Sequence, residues 1–80
     1  MTINDAVAQR TKRLLKENNM TVYRLERKSG LIHGAVNRIL DGKNKTVTLS
    51  TVMMLARGFG ISLIEFLDDD IFRSEILEID

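Results

Sequence analysis

The sequence contains no cysteine and no proline among its 80 residues. Without cysteine, the chain can form neither a disulfide bridge nor a thiolate metal site, so apolar packing alone must hold this small single domain together. The longest uninterrupted apolar run, residues 52–56, is too short to cross a membrane. The N-terminal segment MTINDAVAQR lacks the apolar stretch of a signal peptide, and we therefore expect a cytoplasmic protein.

The net charge of +1 conceals an uneven distribution of charge along the chain. Residues 1–67 carry eleven Lys and Arg against five Asp and Glu, whereas residues 68–80 carry one Arg against six Asp and Glu. The two segments therefore have net charges of +6 and −5. The basic segment suits a polyanionic partner, and the acidic tail should point away from such a partner. Taken singly, most of these charges are explained as ordinary solvated surface.

Apolar residues recur at helical spacing along most of the chain. This spacing predicts helices at 4–18, 22–28 and 32–40, and two more that begin after Thr48 and Ser62. The acidic tail can add a short helix. Five or six short helices with brief connections predict an all-α fold.

The stretch 21–42, TVYRLERKSGLIHGAVNRILDG, is the most informative part of the chain. It is typical of two short helices joined by a tight turn at Gly30, with Thr21 as the N-cap of the first helix. On a helical wheel, the second helix is apolar on one side and polar on the other. The apolar side comprises Ile32, Val36, Ile39 and Leu40, and the polar side comprises His33, Gly34, Asn37, Arg38 and Asp41.

Two interpretations of this polar side are open. On amphipathicity alone, a merely solvated face is the simpler one. The short preceding helix and the turn at Gly30 favour the other, a helix-turn-helix whose second helix enters the major groove of DNA.

Residues 7–67 resemble the lambda-repressor-like, phage repressor and Cro (Xre-type) helix-turn-helix family. The matching elements are MTVYRLERKSGL, AVNRILDGKNK and TLSTVMMLARGFGISLIEFL, in this order. The resemblance implies a compact five-helix DNA-binding domain at 1–67, followed by an acidic and apolar tail at 68–80. It also implies a homodimeric transcriptional regulator, a repressor rather than an activator, that binds an inverted repeat in double-stranded DNA.

The resemblance assigns base reading to the start and the exposed face of the third helix. Asn can pair with adenine and Arg with guanine, whereas a salt bridge to a neighbouring acid is the alternative role of Arg38. The base-reading residues are then His33, Gly34, Asn37 and Arg38.

The resemblance assigns phosphate binding to two further places. They are the start of the second helix, where free amides and the helix dipole attract anions, and the loop after the third helix. Packing at the domain edge is the alternative for Tyr23. The phosphate-binding residues are then Thr21, Tyr23, Arg24, Lys43, Asn44 and Lys45.

The chain departs from the family pattern at four positions near the turn. Glu26 stands where a small residue is usual, so we expect it to pair with Arg38 or another basic residue, or to splay the two helices. Val22 replaces a common phosphate-anchoring Gln, and Ile32 replaces a capping Ser or Thr. Gly34 offers no side chain to a base and lowers helix propensity by about 1 kcal/mol relative to Ala. These departures predict modest or unusual sequence specificity.

The end of the chain is more apolar than a monomer of this size needs. In the resembled family, the surface around the fifth helix often forms the dimer contact. Either these side chains form a homodimer interface, or the tail folds back onto its own core. The predicted interface residues are Phe66, Leu67, Ile71, Phe72 and Ile76.

The residues do not suggest an enzyme. The chain has one His and no Cys, and His33 has no nucleophile beside it. The acids at 68–70 lack the alternation of a calcium loop. We therefore expect no catalytic residue, cofactor, metal ion or small-molecule ligand. The competing functional class is a protein-interaction module of the same fold, such as an antitoxin or a co-regulator, with weak or no specific DNA binding.

Overall fold

The computed structural model describes residues 1–43, 46–74 and 77–79. These residues form α-helices and one short 3-10 helix, and none of them belongs to a β-strand. The predicted all-α fold is confirmed. The helices are α1 (Ile3–Glu17), α2 (Val22–Ser29), α3 (Ala35–Leu40), α4 (Leu49–Gly58) and α5 (Leu63–Leu67), and the 3-10 helix spans Asp70–Phe72.

The helix termini are set by local capping. Thr21, Thr48 and Ser62 each accept a hydrogen bond from the backbone N–H three residues later, as predicted for the starts of α2, α4 and α5. Thr2 and Asp5 form a further capping box that the sequence analysis missed, and it starts α1 one residue earlier than predicted.

The start of α3 differs from the prediction. The helix begins at Ala35 rather than at residue 32, because Gly34 has a φ of +88°, which a right-handed helix cannot continue. The side chain of Ile32 therefore precedes the helix and is 78% exposed. Its predicted place on the apolar side was wrong, and α3 packs through Val36 and Ile39, which are buried.

The core joins all five helices. The most extensive packing is between α2 and α4, and α3 rests on both α1 and α2. At Gly58, a Cβ atom would lie only 2.7 Å from Cδ1 of Leu25, so glycine permits the close approach of α2 and α4. The fully buried side chains with the largest volumes are Phe66, Leu25, Leu55, Val36 and Thr11.

The tail lies along α1. Asp69 forms salt bridges with Arg10, at 3.5 Å between Nη1 and Oδ2, and with Arg13. Farther on, the backbone N–H of Ile3 donates to the carbonyl of Glu78 at 2.9 Å, in an isolated parallel bridge between the two chain ends. These contacts place residues 69 and 78 of the tail against the N-terminal part of the chain.

Acidification is expected to loosen this tail. A hydrogen bond from the Ile71 backbone N–H lowers the pKa of Asp69, with further lowering from the guanidinium groups of Arg13 and Arg10, although partial burial opposes the shift. A carboxyl whose pKa is lower in the folded state stabilises the fold above its unfolded-state pKa of about 4. That stabilisation is lost as the pH falls through the lower, folded-state value.

The variant Asp69→Asn tests whether the charge of Asp69 stabilises the fold. We expect it to lower the free energy of unfolding by about 1 kcal/mol at pH 7. The difference from the unsubstituted chain should begin to shrink below about pH 4, the unfolded-state pKa, and should disappear as the pH falls through the lower, folded-state pKa. Thermal unfolding at pH 7 to 3 measures it, with Glu17→Gln at the exposed end of α1 as the control. A difference that stays constant into acid would show that the charge of Asp69 contributes nothing.

Candidate nucleic-acid interface

The α2–turn–α3 unit presents one face of α3 to solvent. α2 ends at Gly30, which has a φ of +79° and turns the chain sharply towards α3. Val36 and Ile39 hold α3 to the core, so that Asn37 and Arg38 on its opposite side remain exposed. This arrangement leaves a polar helix face without any covering element among the described residues.

The four predicted base-reading residues lie together at and before this face. The side chain of His33 is 90% exposed, and Gly34 is partly exposed. A shallow depression of about 410 Å³ is lined by Ile32, His33, Gly34, Ala35 and Arg38.

The alternative role for Arg38 does not appear in the described part of the chain. There, Arg38 forms no salt bridge with any acid, Glu26 included. Its guanidinium is therefore available to an external acceptor.

A basic groove lies along α2. It has a volume of about 670 Å³, and it includes three of the residues predicted to bind phosphate, namely Thr21, Tyr23 and Arg24. Tyr23 is exposed rather than packed at the domain edge. The other residues that line the groove are Asn19, Arg27 and Lys28.

The sequence analysis missed Arg27 and Lys28. They follow Arg24 by three and four residues, a spacing that places all three cations on one side of α2 and that could have identified them. The guanidinium of Arg27 lies 5.8 Å from the ring centroid of Tyr23, in a cation–π contact. In the loop after α3, Lys43 is exposed, whereas Asn44 and Lys45 lie outside the described residues.

Glu26 connects α2 to the start of α3. It is only 5% exposed, and its Oε2 accepts hydrogen bonds from the backbone N–H groups of Gly34, at 2.8 Å, and Val36, at 3.2 Å. Its Oε1 lies 3.4 Å from Nδ1 of His33. The basic residue that Glu26 contacts is therefore His33 and not Arg38.

The role of Glu26 follows from what α3 lacks. Gly34 is the N-cap of α3 and has no side chain to accept a hydrogen bond. Ile32, in the position of the usual capping Ser or Thr, has no polar atom. The Glu26 carboxylate thus replaces a local cap with a tertiary one. Two features of the sequence could have predicted this contact, namely the unusual acid in α2 and the missing capping residue of α3.

Of the predicted interface residues, Phe66 is buried inside the chain and cannot contact a partner. It has no exposed surface, because its ring is enclosed by the core and lies 6.2 Å from the ring of Phe72. Leu67, Ile71 and Phe72 are half-buried within the chain. Ile76 lies outside the described residues.

A different apolar side chain is exposed on α5. Ile64 is 74% exposed, although its neighbour Phe66 is enclosed. Helical geometry explains the contrast, since residues two apart point in different directions.

Two absences hold for the part of the chain that the structure describes. None of its helices is long and apolar enough to span a membrane. Its His, Asp and Glu side chains form no group of three that could hold a metal ion.

The five helices and the exposed face of α3 define a helix-turn-helix DNA-binding protein. A family model for the Cro/C1-type HTH DNA-binding domain matches residues 10–70. This match covers well over half of the chain, which therefore belongs to the Cro/C1-type family, as the resemblance predicted. No curated protein and no solved structure gives a significant match.

Proposed function

We propose that this DNA-binding protein is a sequence-specific transcriptional regulator that inserts α3 into the major groove of double-stranded DNA. The observation that carries the proposal is the solvent-facing side of α3, where Asn37 and Arg38 are exposed while Val36 and Ile39 are buried on the opposite side. Asn37 pairs with adenine and Arg38 with guanine, and His33 contacts a base edge or a phosphate. Gly34 lets the backbone approach the groove closely.

Phosphate contacts orient the domain on the duplex. The groove that includes Thr21, Tyr23 and Arg24 binds one stretch of backbone, and Arg27 and Lys28 extend its positive charge. Lys43, with the neighbouring Asn44 and Lys45, binds a second stretch after α3. These contacts supply affinity without reading sequence.

The protein acts as a homodimer in this proposal. A helix as short as α3, with six residues, reaches only a few base pairs, so two copies are needed to specify an operator. Exposed Ile64 on α5, together with half-buried Leu67, Ile71 and Phe72, provides the apolar surface for the partner. Repression is the simplest outcome, because occupying a promoter needs no contact with polymerase.

Selection of bound sites from a random duplex pool at physiological salt tests the proposal. We expect enrichment of an inverted repeat with half-sites about 10 base pairs apart, centre to centre. Enrichment of a single short site would support sequence-specific DNA binding but contradict binding as a dimer. No enrichment by the folded protein would overturn sequence-specific binding.

Salt dependence supplies a second test. Each phosphate neutralised should contribute about −0.9 to the slope of log affinity against log salt. The five cations Arg24, Arg27, Lys28, Lys43 and Lys45 then predict a slope of about −4 to −5 per protomer.

The variant Lys43→Ala should make this slope shallower by about 1 per protomer and weaken binding to all sequences alike. Lys16→Ala, a change on the exposed side of α1, is the control and should leave the slope unchanged. Equal slopes for Lys43→Ala and the unsubstituted chain would remove Lys43 from the interface.

One observation favours the second candidate, a protein-interaction module. Ile32 is 78% exposed and lines the same depression as His33, Gly34 and Arg38, where an apolar partner surface would cover it. Salt-independent or absent duplex binding would support this candidate over a DNA-binding regulator.

A further inference from the structure

We propose that Glu26 is a positioning residue for DNA recognition, whose buried carboxylate fixes the segment 33–36 so that α3 can read bases. This inference rests on the proposed function. Glu26 itself contacts no DNA in this account. It acts through the backbone of Gly34 and Val36 and through the ring of His33.

The first argument is that α3 has no other cap. The first N–H groups of a helix have no partner within the helix and need an external acceptor. Here one carboxylate oxygen, Oε2 of Glu26, accepts from the N–H groups of both Gly34 and Val36. Among the described residues, no buried polar side-chain atom lacks a hydrogen-bond partner, and this holds for the Glu26 carboxylate as well. Removing the carboxylate would leave two N–H groups at the start of α3 without their acceptor and so weaken the restraint on segment 33–36.

The second argument is that the same carboxylate holds a predicted base reader. Oε1 of Glu26 is 3.4 Å from Nδ1 of His33, whose side chain is otherwise 90% exposed. An exposed imidazole without this contact would sample several rotamers. With Nδ1 beside Glu26, the ring has a preferred orientation, and Nε2 is the nitrogen left for DNA.

The third argument concerns the sign of the charge. A carboxylate near a DNA-binding face repels phosphate, so electrostatics alone predicts that its removal tightens binding to every duplex. A positioning role predicts the opposite for the operator, because a mobile α3 loses base contacts. The two accounts are therefore separable by the ratio of operator affinity to scrambled-duplex affinity.

The experiment compares Glu26→Ala and Glu26→Gln with the unsubstituted protein, using the selected operator and a scrambled duplex of equal length. We expect Glu26→Ala to lose about tenfold in the affinity ratio. Glu26→Gln should recover much of it, because the amide oxygen can accept the same two N–H groups. Glu17→Gln removes a negative charge at the exposed end of α1 and should match the unsubstituted protein. A smaller folded fraction lowers both affinities equally and leaves the ratio unchanged.

Two outcomes would overturn the inference on DNA. One is an unchanged affinity ratio for Glu26→Ala, and the other is an equal gain in affinity for both duplexes, which would mean that only the charge matters.

A measurement on the free protein separates this inference from the proposed function. If the unsubstituted protein does not discriminate between duplexes, the proposed function fails. Hydrogen exchange at the amide of Val36 still tests the positioning role. We expect Glu26→Ala to accelerate exchange at Val36 about tenfold, with the amides of α1 as the reference. Equal exchange rates at Val36 in the variant and in the unsubstituted protein would contradict the positioning role.

Discussion

Replacement of Phe66 by alanine is expected to remove a large part of the stability of the domain. The ring is fully enclosed by the core, and truncation of such a side chain costs about 3–5 kcal/mol in stability. A domain of 80 residues has a total stability of roughly 4–12 kcal/mol. The loss is therefore at least about a quarter of the free energy of unfolding, and at the lower end of that range it equals the whole.

Urea unfolding followed by circular dichroism at two protein concentrations measures this effect. Phe66→Leu keeps most of the apolar volume and should lose much less stability. Ile64→Ala, at an exposed site on the same helix, should change stability by less than about 0.5 kcal/mol in the monomer. If Phe66→Ala stayed folded and lost only dimerisation, the buried position of this ring would be wrong.

Replacement of Asn37 or Arg38 by alanine is expected to relax DNA sequence preference without unfolding the domain. Both side chains are exposed, so their truncation should leave stability within about 0.5 kcal/mol. Loss of a bidentate base contact should reduce discrimination at one base pair by about 10- to 100-fold. Asn37→Ala should tolerate changes at an adenine, and Arg38→Ala changes at a guanine.

Competition binding against operators with single base-pair changes measures these effects. Lys43→Ala is the matched control, because a phosphate contact carries no sequence information and its loss weakens all operators alike. The same uniform loss from Asn37→Ala would exclude Asn37 from base reading. A uniform loss from Arg38→Ala would reassign Arg38 to the phosphate backbone.

The sequence predicted those parts of the fold that depend on neighbouring residues. The caps Thr21, Thr48 and Ser62 act on amides three residues away, so their effect is contained within one helical turn. The positions of α2, α4 and α5 followed from these caps and from apolar spacing. The family resemblance followed from the order of the same elements.

The start of α3 was predicted wrongly, because apolar character does not by itself determine backbone conformation. Ile32 continues the apolar stripe of the helix in the sequence. The left-handed φ of Gly34, however, separates Ile32 from the helix and leaves it in solvent. Glycine permits that conformation, but glycine also occurs in helices, so the residue type was not decisive.

In the candidate site, too, the sequence predicted the local features and missed the long-range contact. Amphipathicity identified the exposed side of α3, including Asn37 and Arg38, because a helical wheel needs only the local period. The contact of Glu26 with Gly34 and Val36 joins residues eight and ten positions apart on two helices. Its geometry depends on how α2 and α3 pack, which no local pattern specifies.

By itself, the sequence determined the helical elements, their caps and the family, because these depend on periodicity and on interactions within one turn. Only the tertiary structure decided that Phe66 is enclosed and that the tail pairs with α1. The residues that make the latter contact, Arg13 and Asp69, are 56 positions apart. Long-range contacts of this kind are selected by the packing of all five helices together, since many pairings have similar local energies and only one arrangement buries the shared core.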